Sequence, residues 1–144
     1  MISFEECLKL GFLRRVPPSK RQSEEQLKKA IVLLEEAKKA AQSSSPNSAV
    51  ISGYAAMLDA ARAVLLRDGY REKSHACVAR YLEAKYSDKI GSSLVDLFDE
   101  YRDKRHKTMY SAEYYPTIEE AQRIVRFAEK FVRRIEEFLK KDNA

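Results

Sequence analysis

A run of basic and aromatic residues between positions 102 and 110 is the part of the chain best equipped for phosphate chemistry. Arg102, Arg105 and His106 are followed by Lys107 and Tyr110. Arginine stabilises negative charge on a phosphate, and histidine can transfer a proton near neutral pH. Arg102, Arg105 and His106 are therefore the candidate catalytic residues. Arg105, Lys107 and Tyr110 are the candidate residues for binding an anionic ligand.

The spacing places these residues on an amphipathic helix. Leu94, Phe98 and Tyr101 form an apolar stripe that reaches Arg105 at the next helical step. An arginine at a core-facing position is costly unless an acid or an anionic ligand faces it. The stripe therefore indicates a functional site at the end of this helix.

A structural interpretation of the same helix stays open. Arg105 could bridge a buried acid such as Asp59 or Asp96 instead of facing a ligand. Asp103 and Lys107 have the order and spacing of an exposed ion pair on a solvated helix face. Both readings fit the residue spacing.

Three other residues with chemical potential have structural interpretations that we favour. His75 follows Lys73 and Ser74 at the start of a predicted helix, where capping or packing is the usual role. Tyr114 and Tyr115 precede a proline, and such tyrosines commonly close the end of a helical bundle, although a tyrosine can also stack on a base.

Capping residues and apolar periodicity predict helices along most of the chain. Ser3 and Glu6 form a capping box for a short helix, and Arg14–Arg21 form a basic linker containing two prolines. Further helices are predicted from Ser23 to about Gln42, from Asn47 or Ser48 to about Gly69, from about Glu72 to Tyr86, from about Ser92 onward, and from Thr117, which forms a capping box with Glu120, onward.

These elements predict an all-α fold. We expect an up-and-down helical bundle of four main helices plus a short N-terminal helix. The chain is one domain, 1–144, in which 1–21 hold the short helix and basic linker and 22–141 form the bundle. The last helix carries Phe131, Ile135, Phe138 and Leu139 on one face, and this apolar surface predicts a homodimer.

Charge and cysteine content restrict the function further. The chain has 27 Lys and Arg against 22 Asp and Glu, a net charge of +5 that permits a nucleic-acid partner without requiring one. Cys7 and Cys77 form no CxxC pair, so we expect no metal, no cofactor and a reducing, cytoplasmic compartment. No apolar run approaches the roughly 18 residues of a membrane span, so no membrane partner is expected.

The order of several motifs resembles the HEPN family (higher eukaryotes and prokaryotes nucleotide-binding). The run from Tyr54 to Leu66, followed by Gly69, Lys73 and His75, resembles the second helix and following turn of that domain. Arg105–Tyr110, Thr117–Ala121 and Ala128–Phe131 resemble its end. One subfamily has an arginine followed five residues later by a tyrosine, as Arg105 and Tyr110 are here.

The resemblance implies a four-helix domain, commonly a homodimer, that partners a nucleotidyltransferase in toxin–antitoxin modules. Active members are metal-independent endoribonucleases whose arginine and histidine are separated by four to six residues. Here Arg102 and His106 have only three residues between them, and Tyr110 stands where a histidine would complete the motif from Arg105. The expected function is therefore a nucleotide- or RNA-binding module; a metal-independent endoribonuclease and a structural helical adaptor are the alternatives.

Overall fold

Residues 1–142 form six helices and one short β-ribbon. A computed structural model describes residues 1–142; residues 143 and 144, which the predicted domain includes, lie outside the described residues. The elements, in chain order, are α1 (Phe4–Lys9), β1 (Leu13–Arg15), α2 (Lys20–Gln42), α3 (Pro46–Asp68), β2 (Tyr70–Glu72), α4 (His75–Ile90), α5 (Ser92–Tyr110) and α6 (Ile118–Asp142). The predicted all-α bundle with a short N-terminal helix is confirmed.

Two predicted helix starts are confirmed by reciprocal capping bonds. The Ser3 hydroxyl accepts the Glu6 backbone N–H at 3.1 Å, and the Glu6 carboxylate accepts the Ser3 N–H at 3.0 Å. Thr117 and Glu120 make the same pair of bonds, at 3.0 and 3.2 Å, before α6. Each box satisfies backbone donors that the first helical turn leaves unpaired.

Three other predicted starts are wrong. Ser19, not Ser23, caps α2 by accepting the Gln22 N–H, while Ser23 is buried and donates to the Ala63 carbonyl oxygen at 2.6 Å. The helix α3 begins at Pro46, before either predicted cap, since proline is well suited to the first helical turn. The helix α4 begins at His75 instead of Glu72, because Tyr70–Glu72 form a strand.

The helix α3 lies at the centre of the bundle. It packs against α2, α4, α5 and α6, and a Cβ added at Gly53 would lie 3.2 Å from the Ile124 side chain of α6. By length and composition α3 is also apolar enough to cross a membrane, with a mean hydropathy of 1.5 over its best window. However, 78% of that window is buried by the rest of the chain, as in the core helix of a globular domain.

The β-ribbon is a feature that the sequence analysis missed. Leu13–Arg15 pair antiparallel with Tyr70–Glu72, so part of the predicted basic linker is a strand. Gly69 makes the turn from α3 into β2 at φ +91°, and a Cβ there would meet the Val16 carbonyl oxygen at 2.8 Å. Glycine at this position lets the two strands approach, and the ribbon in turn fixes where α4 begins.

The apolar face of α6 belongs to the core of the chain itself. Phe131 and Ile135 are fully buried, and Phe138 and Leu139 are each only 5% exposed. The reason given for a homodimer is therefore wrong, because α2 and α3 already cover this face. The oligomeric state itself stays a prediction.

The two cysteines form a disulfide that joins α1 to the first turn of α4. Cys7 and Cys77 are both completely buried, and their sulfur atoms are bonded across a sequence separation of 70. The sequence analysis did not predict this pairing, because the two cysteines are far apart in the chain. The ribbon brings their two segments together. The cysteines therefore no longer argue for a reducing compartment, and the cytoplasmic location remains a prediction.

Candidate functional site

The second half of α5 faces the beginning of α4 across a polar cavity of about 430 Å³. Arg102, Asp103, Arg105 and His106 line one wall. The opposite wall consists of Lys73 and the first residues of α4, including His75. The three predicted catalytic residues therefore share one cavity, and the structure adds His75 to them.

A second cavity of about 320 Å³ adjoins the first and is partly apolar. Its apolar side consists of four residues of α3: Ile51, Tyr54, Ala55 and Leu58. Asp59, Arg62, His75 and Arg105 complete its lining. His75 and Arg105 line both cavities, so these two residues lie at the boundary between them. We call the first cavity the basic cavity and the second the partly apolar cavity.

Arg105 is a half-buried cation without an acidic partner. Among residues 1–142, no carboxylate lies within 4.0 Å of its guanidinium. Asp59 instead pairs with Arg62 at 3.1 Å, and Asp96 is exposed. The structural alternative, in which Arg105 bridges one of these acids, is therefore wrong, and its positive charge is available to a ligand.

Arg102 differs from Arg105 because an acid already neutralises part of its charge. Asp99 accepts a hydrogen bond from Arg102 at 3.1 Å and one from Arg80 at 2.7 Å. Arg80 is buried in α4, so this pair of bonds also ties α5 to α4. Arg102 thus combines a structural contact with a place at the edge of the basic cavity.

Tyr54 contributes a buried hydroxyl to the site. The residue is only 2% exposed, and its hydroxyl has no hydrogen-bond partner among the described residues. Burial raises its pKa, opposed by the positive charges of Arg102 and Arg105. The phenol therefore stays protonated, and its O–H is an available donor next to two arginines.

His75 is neutral at pH 7 because of its surroundings. Burial and the positive charges of Arg62 and Arg105 lower the pKa of this histidine. Its ring centroid lies 6.3 Å from that of Tyr54. The expected capping role is not what we find, since Ser74 is the N-cap of α4 and its side chain makes no capping bond. Ser74, His75 and Ala76 instead line the basic cavity.

The two remaining predicted binding residues lie away from both cavities. Lys107 is exposed and pairs with Asp103 at 3.2 Å, as its spacing predicted. Tyr110 is 65% exposed, and its ring centroid lies 4.9 Å from that of His106. The structure therefore brings Arg102, Arg105 and His106 together, while Lys107 and Tyr110 line neither space.

The tyrosines after α5 have different environments. Tyr114 is half-buried and donates to Glu120 at 3.2 Å, which also accepts a 2.7 Å bond from Lys104. This contact braces the α5–α6 connection, as expected for Tyr114. The same expectation is wrong for Tyr115, which is 73% exposed.

The positive groups around the first cavity are arginine and lysine side chains and the N-terminus of α4. The start of α4 faces the cavity, and its backbone N–H groups carry partial positive charge. Within residues 1–142, no group of three or more His, Cys, Asp or Glu side chains is arranged to hold a metal ion.

A comparison with protein families identifies the fold that carries this site. The family model for the HEPN domain matches residues 23–138, which include α3, α4, α5 and nearly all of α6. The curated proteins contain no match to the chain. The matched region covers most of the chain and every residue that lines the two cavities, so the chain belongs to the HEPN domain family.

Proposed function

We propose that this chain is a nucleotide- or RNA-binding HEPN module that holds a phosphate in the basic cavity between α4 and α5. The observation that carries the proposal is Arg105, a half-buried arginine without an acidic partner among residues 1–142. Keeping such a cation partly desolvated is costly for folding, and a bound phosphate offsets that cost. Membership in the HEPN family supports the same assignment.

The neighbours of Arg105 fit a phosphate ester better than a simple carboxylate. The N-terminus of α4, Lys73 and Arg102 supply positive potential from several directions around the cavity. The adjoining apolar space beside Tyr54 offers a surface for a base or ribose next to the phosphate. A ligand with both an anionic and a flat apolar part therefore matches the two cavities together.

The direct test is the substitution Arg105→Gln, assayed by calorimetry with adenosine monophosphate and by fluorescence polarisation with labelled single-stranded RNA. We expect at least a tenfold loss of affinity for both ligands, because a charge-assisted hydrogen bond contributes about 1.5–3 kcal/mol. Arg126→Gln is the matched control, since Arg126 is an exposed cation of α6 outside the site. Equal binding by the two variants would contradict the proposal.

We also propose that the module acts with a nucleotidyltransferase-type protein in a toxin–antitoxin pair, and that it forms a homodimer. Support for a protein contact comes from the end of α5 and the start of α6. Met109, Tyr110, Tyr115 and Ile118 are all large apolar or aromatic residues left exposed there. Such residues are enriched at protein interfaces.

Light scattering tests the dimer. The wild type is expected to have twice the mass of one chain, and Tyr110→Ser/Ile118→Ser is expected to shift it toward the monomer. A monomeric wild type at working concentration would refute the dimer. If Arg105→Gln binds both ligands as the wild type does and the protein is still a dimer, the structural helical adaptor becomes the favoured function.

A metal-independent endoribonuclease is the second candidate, and His75 favours it. A neutral imidazole beside a free guanidinium can accept the proton of a ribose 2′-hydroxyl while arginine stabilises the phosphate charge. The 2′-oxygen then attacks phosphorus, and the 5′-oxygen leaves with a proton from His106 or solvent.

Cleavage of labelled RNA in EDTA tests this activity and distinguishes the two histidines. Wild-type cleavage that His75→Asn abolishes would assign the proton acceptor to His75. Loss only in His106→Asn would assign it to the histidine that the sequence indicated. Absence of cleavage by the wild type would leave binding as the function.

A further inference from the structure

The β-ribbon has an outward face that the proposed phosphate site does not explain. Directly paired residues of an antiparallel ribbon share a face, so Arg14 and Arg71 point to the same side. The pairing continues by one step, since the Lys73 N–H donates to the Phe12 carbonyl oxygen at 2.8 Å. Phe12, Arg14, Arg71 and Lys73 therefore lie on one face, and all four are exposed. We call these four residues the ribbon face.

The opposite side of the ribbon holds it firmly against the bundle. Leu13 is buried, and Glu72 accepts a hydrogen bond from Arg62 at 2.7 Å. The disulfide between Cys7 and Cys77 fixes the segments that lead into the ribbon. The ribbon face is consequently a rigid surface, and its four side chains are presented in a fixed order.

The charges on the ribbon face are unfavourable for folding. Arg14 and Arg71 are direct cross-strand partners, and like charges in that position repel each other. Neither arginine has a carboxylate within 4.0 Å in the part of the chain that the structure describes. Glu25, which lines a shallow cavity together with Arg71, is paired with Arg21 at 2.7 Å. An anionic partner that binds both arginines would relieve this repulsion.

We propose that the ribbon face binds the backbone and one base of a single-stranded RNA whose next phosphate enters the basic cavity. This inference rests on the proposed function for the identity of the cavity ligand. Lys73 connects the two surfaces, because it belongs to the ribbon face and also lines the cavity with Arg105. An RNA strand can therefore pass from one set of cations to the other without interruption.

The chemistry of the ribbon face favours single-stranded RNA over an acidic peptide. Phe12 is 37% exposed, and it adjoins Lys73 across the ribbon. An exposed aromatic ring among cations is the arrangement with which proteins bind single strands, since the ring stacks on a base while the cations hold phosphates. Phe12 and Arg14 lie outside the matched residues 23–138, whereas Arg71 and Lys73 lie inside them, so only half of the ribbon face belongs to the matched region.

The double variant Arg14→Gln/Arg71→Gln tests the proposal against a control of equal charge. Arg123→Gln/Arg126→Gln removes two exposed cations of α6 and lowers the net charge by the same amount. Fluorescence polarisation is measured with a labelled single-stranded RNA of mixed sequence, at several salt concentrations, and calorimetry is performed with adenosine monophosphate.

For RNA, we expect the ribbon variant to bind at least tenfold more weakly than the control variant. Its salt dependence should also fall by about 1.4 in the slope of log K against log salt, because two phosphate contacts are lost and each contributes about 0.7. Its affinity for adenosine monophosphate should equal that of the wild type. Its midpoint of urea unfolding should be equal or higher, because a cross-strand repulsion has been removed.

Phe12→Leu separates stacking from charge. This variant keeps an apolar side chain and the net charge, and we expect RNA affinity to fall about fivefold, the smallest loss typical of one stacked base. Equal RNA binding by the ribbon variant and the control variant would overturn the proposal. If Arg105→Gln binds both ligands normally while the ribbon variant loses RNA, the proposed function fails and the ribbon face stands.

Discussion

The protonation of His75 makes the free energy of unfolding of the chain depend on pH. Burial and nearby arginines lower its pKa in the folded chain below the ordinary value of 6.5. Between these two values the unfolded chain binds more protons than the folded one, so the free energy of unfolding rises with pH. The stabilising contribution of neutral His75 is complete above pH 6.5 and is lost as the pH falls from there through the folded pKa.

The substitution His75→Asn should remove this dependence. We expect the free energy of unfolding of the wild type to decrease more steeply than that of the variant between pH 6.5 and pH 5. Urea denaturation at four or five pH values measures the difference, and His106→Asn checks that it is specific to position 75. Parallel curves for wild type and His75→Asn would show that neither burial nor the arginines lower the pKa of this histidine.

For single residues, the sequence predicted which face of α5 is buried, but it did not predict which residues of other helices contact that face. Helical spacing was enough to place Phe98 in the core and Arg105 at its edge, because both follow from the 3.6-residue period. Tyr54 was missed, and His75 was assigned a structural role, because each fits an ordinary position: an apolar-stripe tyrosine and a residue at a helix start. Only the contact between α3, α4 and α5 shows that they meet at Arg105.

The junction between α5 and α6 depends on one carboxylate with several partners. Glu120 accepts hydrogen bonds from Lys104, from Tyr114 and from the Thr117 backbone N–H. The Lys104 ammonium group, followed by the Thr117 N–H, lowers the pKa of Glu120 to about 2. The stability that this charge contributes is therefore fully present above the unfolded pKa, near 4.5, and is lost as the pH falls toward 2.

Glu120→Gln tests the junction because glutamine preserves the capping box and removes the charge. We expect a loss of about 1–2 kcal/mol in the free energy of unfolding at pH 7, the size of a charge-assisted hydrogen bond at a partly exposed position. The difference from wild type should shrink steadily below pH 4.5 in thermal or urea denaturation. Glu119→Gln, an exposed acid of the same helical turn, should have little effect at either pH. A pH-independent loss would contradict the role of the charge.

Helices were predictable where local chemistry determines them. The capping boxes at Ser3 and Thr117 and the glycine after α3 each satisfy backbone groups of their own helix, so the sequence contains the whole signal. The strands β1 and β2 have three residues each, too few for an alternating pattern to be visible. Their pairing depends on segments that are more than 50 residues apart, as the contact between Arg15 and Tyr70 illustrates.

The whole molecule is closed by the bond between Cys7 and Cys77. A cross-link over a separation of 70 residues restricts the unfolded chain, and the chain-entropy relation gives about 4 kcal/mol for a loop of this size. The bond also ties the N-terminal helix, which lies outside the family match, to the start of α4. The same disulfide therefore contributes to the stability of the whole chain and to the position of the start of α4 beside the candidate site.

Reduction of the disulfide should show how much it contributes to stability. We expect dithiothreitol to lower the free energy of unfolding by up to about 4 kcal/mol and to leave the helical circular-dichroism signal at room temperature almost unchanged, because α2, α3 and α6 pack directly against one another. Cys7→Ser/Cys77→Ser should match the reduced protein and should not respond to dithiothreitol. A wild type equally stable with and without reductant would indicate that the bond contributes nothing to folding.

The overall fold class followed from composition and periodicity, while the surface available to partners did not. The apolar stripe of α6 is visible in the sequence, but whether another helix of the same chain covers it is a property of the packed bundle. Phe131 lies in that packed interior, against Phe98 of α5. An amphipathic helix therefore predicts a buried face without identifying what buries it.

The stack of rings beneath Tyr54 has a consequence for ligand selectivity. Tyr54 lies against Phe98 at 5.7 Å between centroids, and Phe98 lies against Phe131 at 4.9 Å. Folding has already fixed the tyrosine ring in one rotamer, so a ligand need not immobilise it on binding. A ligand that accepts the Tyr54 O–H gains a preorganised hydrogen bond and satisfies a donor that folding leaves unpaired, whereas a ligand that places apolar atoms there gains nothing from this group. If the proposed site binds an anion, Tyr54 is thus the neutral, preorganised group that would discriminate between ligands of equal charge.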